Sequence, residues 1–502
     1  MKKILINKNS WQTRVAVLDN NKLQDIYFDT HTKIDLERCF FRSKISKVLP
    51  GIQTAFVDIG QKKSGFLHIS EVDRALAKEK TAEFLQVDDT TKLERKVKNA
   101  ISIEKIFSAG DEILVQVIKE PVYEKGAKLT TCFTLPGKFL VLMPNIPQIG
   151  ISKKIEDRKE RIRLKEILQK NLSPKMGAII RTTSEGRSEK DIKKDLAFLM
   201  SVWKSIIKKF KKSKFGDKIH EDLPIALRAI RDHLDDDVEV VVIDDAQDQK
   251  LIHKFVKNYT PEHSHKIKLY NPPPCLFEKY EIDKQLNKSL EKKVLLKSGG
   301  TLIIETTEAM TVIDVNTGRF TGKKNLEETI LKTNLEAAGE IVDQLRLRNI
   351  GGLIVIDFID MANLNNRQKL SKYLEKTLKE RDKFQSVTLK PSEFGLVQMT
   401  RKRSGKTLVQ QLTNTCPTCH SYGFIKSDST TSFDVLRNFK NEVLKKAIKG
   451  TISLIVSSEV FNYLVKNEYQ SLLKLEKQLK CKIVLESNKN LNLMQFKIEK
   501  VK

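Results

Sequence analysis

Cysteine and long apolar runs are scarce in this 502-residue chain, and acidic side chains are outnumbered by basic ones. The six cysteines stand at 39, 132, 275, 416, 419 and 481, and only Cys416 and Cys419 share a motif. That scatter excludes a disulfide framework and fits a reduced protein with one candidate metal site. No apolar run approaches the ~20 residues that a membrane span needs. At the start, Lys2-Lys3 leads only into Ile4-Leu5-Ile6, too short for a signal-peptide core. The expected location is therefore the cytoplasm. Aspartate and glutamate number 64 against 91 lysines and arginines, a formal charge of +27. A polyanionic partner follows, nucleic acid first; the plainer alternative is a lysine-rich solvated surface. The length allows three or four domains, and 40% hydrophobic content supplies their cores.

What is present is concentrated in residues 299–361, GGTLIIETTEAMTVIDVNTGRFTGKKNLEETILKTNLEAAGEIVDQLRLRNIGGLIVIDFIDM. Residues 301–306 and 310–315 alternate as a hairpin. Asn325 can cap a helix whose Glu328 completes a capping box. Its apolar positions Leu326, Ile330, Leu335, Ala338, Ile341, Val342 and Leu345 recur at three- and four-residue steps. Gly351-Gly352 ends it, and 353–356 reads as a strand buried on both faces. Asp314 and Asp357 each close an apolar run, at or near the end of a core strand. An ionised carboxylate there costs several kcal/mol unless it is paired or holds a metal. Two hard oxygen donors beside the Asn316 amide suit Mg²⁺ or Mn²⁺. The alternative is structural: Asp314 caps a turn and Asp357 pairs with an arginine such as Arg319.

The strings TEAMTVIDVNTGR, NLEETILKTNLEAAGEIVDQLRLRNIGGLIVIDFIDM and CPTC resemble the catalytic core of the ribonuclease E/G family of endoribonucleases. The resemblance implies that Asp314, Asn316 and Asp357 form a Mg²⁺-binding catalytic site in a DNase I-like domain at 291–411. AFVDIGQKKSGFLHISEV resembles the S1-like RNA-binding barrel, which would occupy 37–131. Phe56, Phe66 and His68 would be its stacking residues and Lys125 a basic contact, although Phe in strands is more often core. Short strands punctuated by Gly51, Gly60 and Gly65 read independently as a small barrel. In 132–225, Arg181-Thr182 at the end of a β-run suits a phosphate. In the family this is the 5′ sensor, with Gly137 and Val141 opposite; a surface arginine at a strand end is the plain reading.

The remaining segments follow from the same likeness. Residues 1–36 hold three short strands, too few for a domain, and with 226–290 would complete an RNase H-like domain interrupted by the barrel and the sensor. Asp244-Asp245 at a strand end invites a nuclease reading, but no matched acidic set accompanies it. Arg401-Lys402-Arg403 near the proposed site could steer an RNA backbone. Gly318–Lys323 is one residue short of a phosphate-binding loop and lacks its Ser or Thr. Cys416 and Cys419 supply half of a tetrahedral zinc site, and His420 and His31 are poorly spaced to finish it. The family's zinc link (412–424) joins protomers, which implies a homodimer or homotetramer; Ser421 departs from the family's glycine. A redox CxxC is the alternative, in surroundings that do not look thioredoxin-like. A small α/β domain (425–502) ends the chain without the long C-terminal scaffold of larger members, as in the compact ribonuclease G type. The charged stretch 72–105 has no assigned role.

The expectation is thus a multidomain α/β endoribonuclease. It would cleave single-stranded RNA in rRNA, tRNA and mRNA processing and decay, stimulated by a 5′ monophosphate, leaving 5′-phosphate and 3′-hydroxyl ends. The alternative from another class is a non-catalytic S1-like RNA-binding protein.

Overall fold

The computed structural model describes residues 1–30, 35–73, 102–121, 126–317, 326–392, 395–402, 405–419, 422–489, 491 and 495–500. Lys125, His31, Arg319, Asn325, Arg403, His420, Ser421, the 318–323 loop and most of the charged 72–105 stretch lie outside these residues. The chain divides into two compact units, 1–411 and 412–502.

The first unit holds four sheets. Strands Lys2–Lys8, Gln12–Asp19 and Lys22–Thr30 form a meander. Lys2–Lys8 pairs in parallel with Val238–Ile243, which pairs in turn with Ile267–Leu269, giving five strands. Leu5, Ala16 and Leu18 line one face of this sheet, and Ile4, Ile6 and Val15 the other.

Five strands close into a barrel: Phe40–Leu49, Thr54–Asp58, Gly65–His68, Lys128–Thr130 and Glu112–Lys119, the last returning to pair with the first. Phe41, Ile45, Ala55, Val57 and Leu67 fill its interior. A four-stranded sheet follows, including Leu140–Met143 and Gly177–Ile180. It is backed by helices Arg158–Asn171 and Glu189–Lys212. The first of these helices was not anticipated, because its lysines and arginines leave few apolar positions to show a period.

The last sheet positions the site. Its order is Lys293–Leu295, Thr301–Thr306, Met310–Asn316, Gly352–Asp357, Leu396–Arg401, Ser386–Thr388. The strand Met310–Asn316 is antiparallel to its hairpin partner and parallel to Gly352–Asp357, with helix Leu326–Leu347 crossing between them. Ala338, Ile341, Val342 and Leu345 of that helix pack on Leu302, Ile313, Val315, Ile354 and Ile356. Period-two alternation then drives Val312, Asp314, Asn316, Leu353 and Asp357 onto the opposite face, which is open. Asp244 and Asp245 are structural: Asp244 accepts from the Asn7 amide (2.6 Å) and the Lys8 N–H, and Asp245 caps helix Ala246–Tyr259.

In the second unit, Gly450–Val456 lies between Cys481–Ser487, parallel to it, and Phe496–Lys500, antiparallel. Helices Asp428–Lys445, Ser458–Asn467 and Tyr469–Leu479 supply Phe439, Val443, Leu464 and Leu475 to its core. No helix of the described residues is long and apolar enough to cross a membrane.

Candidate functional site

Asp314 and Asp357 are register partners on neighbouring parallel strands. Adjacent strands run ~4.8 Å apart, so both carboxylates leave the open face side by side. The Asn316 side-chain amide, one alternation step along, donates to Asp314 Oδ2 at 2.7 Å. Burial at the strand end, then the negative charges of Asp314 and Asp360, raise the pKa of Asp357. Among the described residues, no cation stands at ion-pair distance from either carboxylate. The like-charged pair is held together by the sheet, and apart from the Asn316 amide on Asp314 no positive group of the described residues answers it. As a donor set it fits a hard divalent cation, although no cluster of three or more His, Cys, Asp or Glu converges among the described residues.

Arg401 corrects an expectation. Instead of steering RNA, it lies 2% exposed on the helix-covered face with Val397 and Met399. Its guanidinium makes two bonds to the Asp382 carboxylate (2.7 and 2.9 Å) and one to the Ile350 carbonyl. Arg401 is the last residue of the strand Leu396–Arg401, and period-two alternation sets it on the same covered face as Val397 and Met399.

On the barrel, Phe56 and Phe66 are register partners on the outer surface, and His68 sits opposite Thr54 two residues on. Phe56 is 37% exposed, whereas Ala55, Val57 and Leu67 between these positions are sealed inside. The aromatic pair therefore lies on the barrel's outer surface and not in its core. His68 Nδ1 is held by the Ser70 hydroxyl and N–H.

The phosphate candidates come together only in part. Arg181 ends the strand Gly177–Ile180, and its Nη1 donates to the Gly137 carbonyl at 2.6 Å. Thr182 is exposed and shares a hydrogen bond with Ser152 (3.1 Å). Val141 lies on the paired strand, in register with Ile179 and Pro136. Gly137 has a steric reason: a Cβ there would sit 2.4 Å from the Asp195 carboxylate. Asp195 is buried because it accepts the N–H groups of Phe139 and Leu140, locking this loop. Asp195 and Asp232, which pairs with Arg181 at 2.8 Å, were missed. Both are ordinary helix residues in sequence, and nothing local marks them.

Cys416 is exposed, and the backbone N–H groups of Cys419 and Thr418 point at its sulfur, lowering its pKa. The next helix along the chain begins only at Asp428, capped by Ser427, so no described helix starts at the pair as it does in a redox motif.

Comparison with known proteins decides the class. A sequence model described as the ribonuclease E/G family matches residues 134–404, a span containing the carboxylate pair. The chain belongs to the ribonuclease E/G family. Membership makes it an endoribonuclease. A second model, the RNase E/G thioredoxin-like domain, matches residues 415–501, which corrects the expectation that the CxxC has no such surroundings. Ribonuclease G of Escherichia coli (strain K12) is 37% identical over 437 residues, 86% of each chain. Ribonuclease G of Haemophilus influenzae is 36% identical over 470 residues, 94% of this chain and 93% of the relative. Ribonuclease E of Buchnera aphidicola is 34% identical over this whole chain but only 51% of its own length.

Proposed function

We propose that this family member cleaves single-stranded RNA with Asp314 and Asp357 holding one Mg²⁺ or Mn²⁺. The observation that carries the reading is the pair of carboxylates, in register on an open sheet face with no cationic partner among the described residues. Such an ion, when bound, lowers the pKa of a water and offsets charge developing on the scissile phosphate. The chain's own residues do the positioning. The Asn316 amide fixes the rotamer of Asp314, and the sheet register fixes its distance from Asp357. In-line attack of water would leave a 5′ phosphate and a 3′ hydroxyl.

Phe56, Phe66 and His68 would stack the bases of the bound strand. Arg181 and Thr182, with Gly137 and Val141 around them, would read a 5′ monophosphate. Cys416 and Cys419 would share a structural zinc with a second copy, building a dimer or tetramer. The five-stranded sheet is read as RNase H-like, the barrel as S1-like and the last sheet as DNase I-like, in a cytoplasmic processor of rRNA, tRNA and mRNA.

The test is cleavage of one oligoribonucleotide carrying either a 5′ monophosphate or a 5′ hydroxyl, with and without Mg²⁺. Cleavage should need the ion, run faster on the monophosphate and vanish in Asp314→Asn. An Asp314→Asn enzyme as active as the parent would remove the catalytic reading, and equal rates on the two RNAs would remove the sensor. Cys416→Ser should lower the oligomer mass in solution; an unchanged mass in the zinc-free variant rejects the link.

A further inference from the structure

Arg181 does not stand free in the loop that would receive a phosphate. Its Nη1 carries two N–H groups, and both are used: one on the Gly137 carbonyl (2.6 Å), the other on Asp232 Oδ1 (2.8 Å). Those two bonds leave the opposite edge of the guanidinium, Nε–H with Nη2–H, without a partner among the described residues. That edge is the side-on fork that meets two oxygens of a phosphate or carboxylate at once. The side chain is 28% exposed, so the fork remains open to solvent.

Asp232 could be read as a competitor that a phosphate must displace. Its other bonds argue otherwise. Arg231, 4% exposed, donates Nε to Asp232 Oδ1 (3.2 Å) and Nη2 to Oδ2 (3.1 Å). The same arginine is tied to the Pro136 carbonyl (3.0 Å) and to Asp222 (3.3 Å). Neighbouring carbonyls, Pro136 and Gly137, thus each hold one arginine, and the Asp232 carboxylate bridges the two. A carboxylate clamped from behind by a buried guanidinium cannot swing away to make room. It also leaves the positive charge of Arg181 incompletely answered, because its own charge is shared with Arg231.

We propose that Asp232 is the positioning residue of the 5′-phosphate pocket: it pins Arg181 by Nη1 and so presents the Nε/Nη2 fork to the incoming phosphate. The inference rests on the sensor reading above. It makes Asp232 a contributor to recognition although it repels the ligand's charge, because a preoriented fork loses less rotamer freedom on binding.

The experiment compares kcat/KM on RNA with a 5′ monophosphate and with a 5′ hydroxyl, and reads their ratio, in which a reduced fraction of folded enzyme cancels. Asp232→Asn should lower the ratio, by roughly tenfold for a charge-assisted bond of this kind, with the loss in KM. Added to Arg181→Ala it should lower the ratio no further, because Asp232 acts only through that arginine. Asp232→Glu keeps a carboxylate for Arg231 but displaces it, and should lower the ratio as well. An unchanged or higher ratio in Asp232→Asn, or losses that multiply in the double variant, would overturn the assignment. If Arg181→Ala itself keeps the parent ratio, the sensor reading fails, and this inference falls with it.

Discussion

Two pairs of charged side chains flank the six-stranded sheet, one at each face, and they are opposites. On the helix-covered face, Asp382 and Arg401 are of unlike sign, sealed at 1% side-chain exposure and joined by two hydrogen bonds. On the open face, Asp314 and Asp357 are of like sign, near solvent, and matched by no cation of the described chain. The closed pair satisfies its own electrostatics and serves the fold. The open pair has no charge partner in the described chain, as the proposed cation site would require.

Substitution should separate the two faces. If the proposed ion site holds, Asp357→Asn removes a carboxylate worth several kcal/mol of transition-state stabilisation, so cleavage should fall about a thousandfold or more. The same change should raise the melting temperature. The folded-state pKa of Asp357 is raised, so its ionisation costs stability as pH climbs past the carboxylate range, and an amide escapes that cost. A lower melting temperature at neutral pH would show that the pair is answered after all.

Asp382→Ala should do the reverse, costing about 3–5 kcal/mol by stranding the buried Arg401. A loss below about 1 kcal/mol in a denaturant titration would count against the sealed ion pair. Phe56→Ala, on the barrel, should raise KM for RNA about 5- to 100-fold, the value of one stacked base, and leave stability nearly unaltered. An unaltered KM would return the residue to the surface at large.

The smallest effect concerns a third polar cluster. His233 is held by Tyr27 (2.9 Å) and by Lys383 (2.7 Å), beside Asp25, Arg346 and Asp232. Burial, then the Lys383 ammonium, pushes its pKa down to about 3. The sign follows: a histidine kept neutral when folded contributes stability above its unfolded pKa of ~6.5, and loses it as pH falls toward 3. His233→Gln should therefore melt with less dependence on pH between 7 and 4.5 than the parent. Parallel curves would place the acid sensitivity elsewhere.

Much of this was legible in the chain. The alternation of 301–306 and 310–315 and the apolar run 353–356 are local patterns, so strands and helix could be read directly. The expectation that 353–356 is buried on both faces is corrected, because helix Leu326–Leu347 covers one face only and Leu353 is 40% exposed on the other. Asp314 and Asp357 announced themselves because a carboxylate closing an apolar run is costly wherever it lies. Arg401 could not be read, since a basic triplet gives no clue to which side chain turns inward. The helix Arg158–Asn171 was hidden by its own lysines, and the edge strand Phe496–Lys500 by having few apolar residues.

By itself, the sequence determined most of the elements, the charge and which carboxylates are candidates for chemistry, because these depend on side-chain type and short-range period. Only the tertiary structure decided who stands beside whom. The parallel register that sets Asp314 against Asp357 across 43 positions, and the clamp that binds Arg231, Asp232 and Arg181, depend on sheet pairing and packing between distant segments. No local rule carries that information, since hydrogen-bonded register is chosen by the whole core at once.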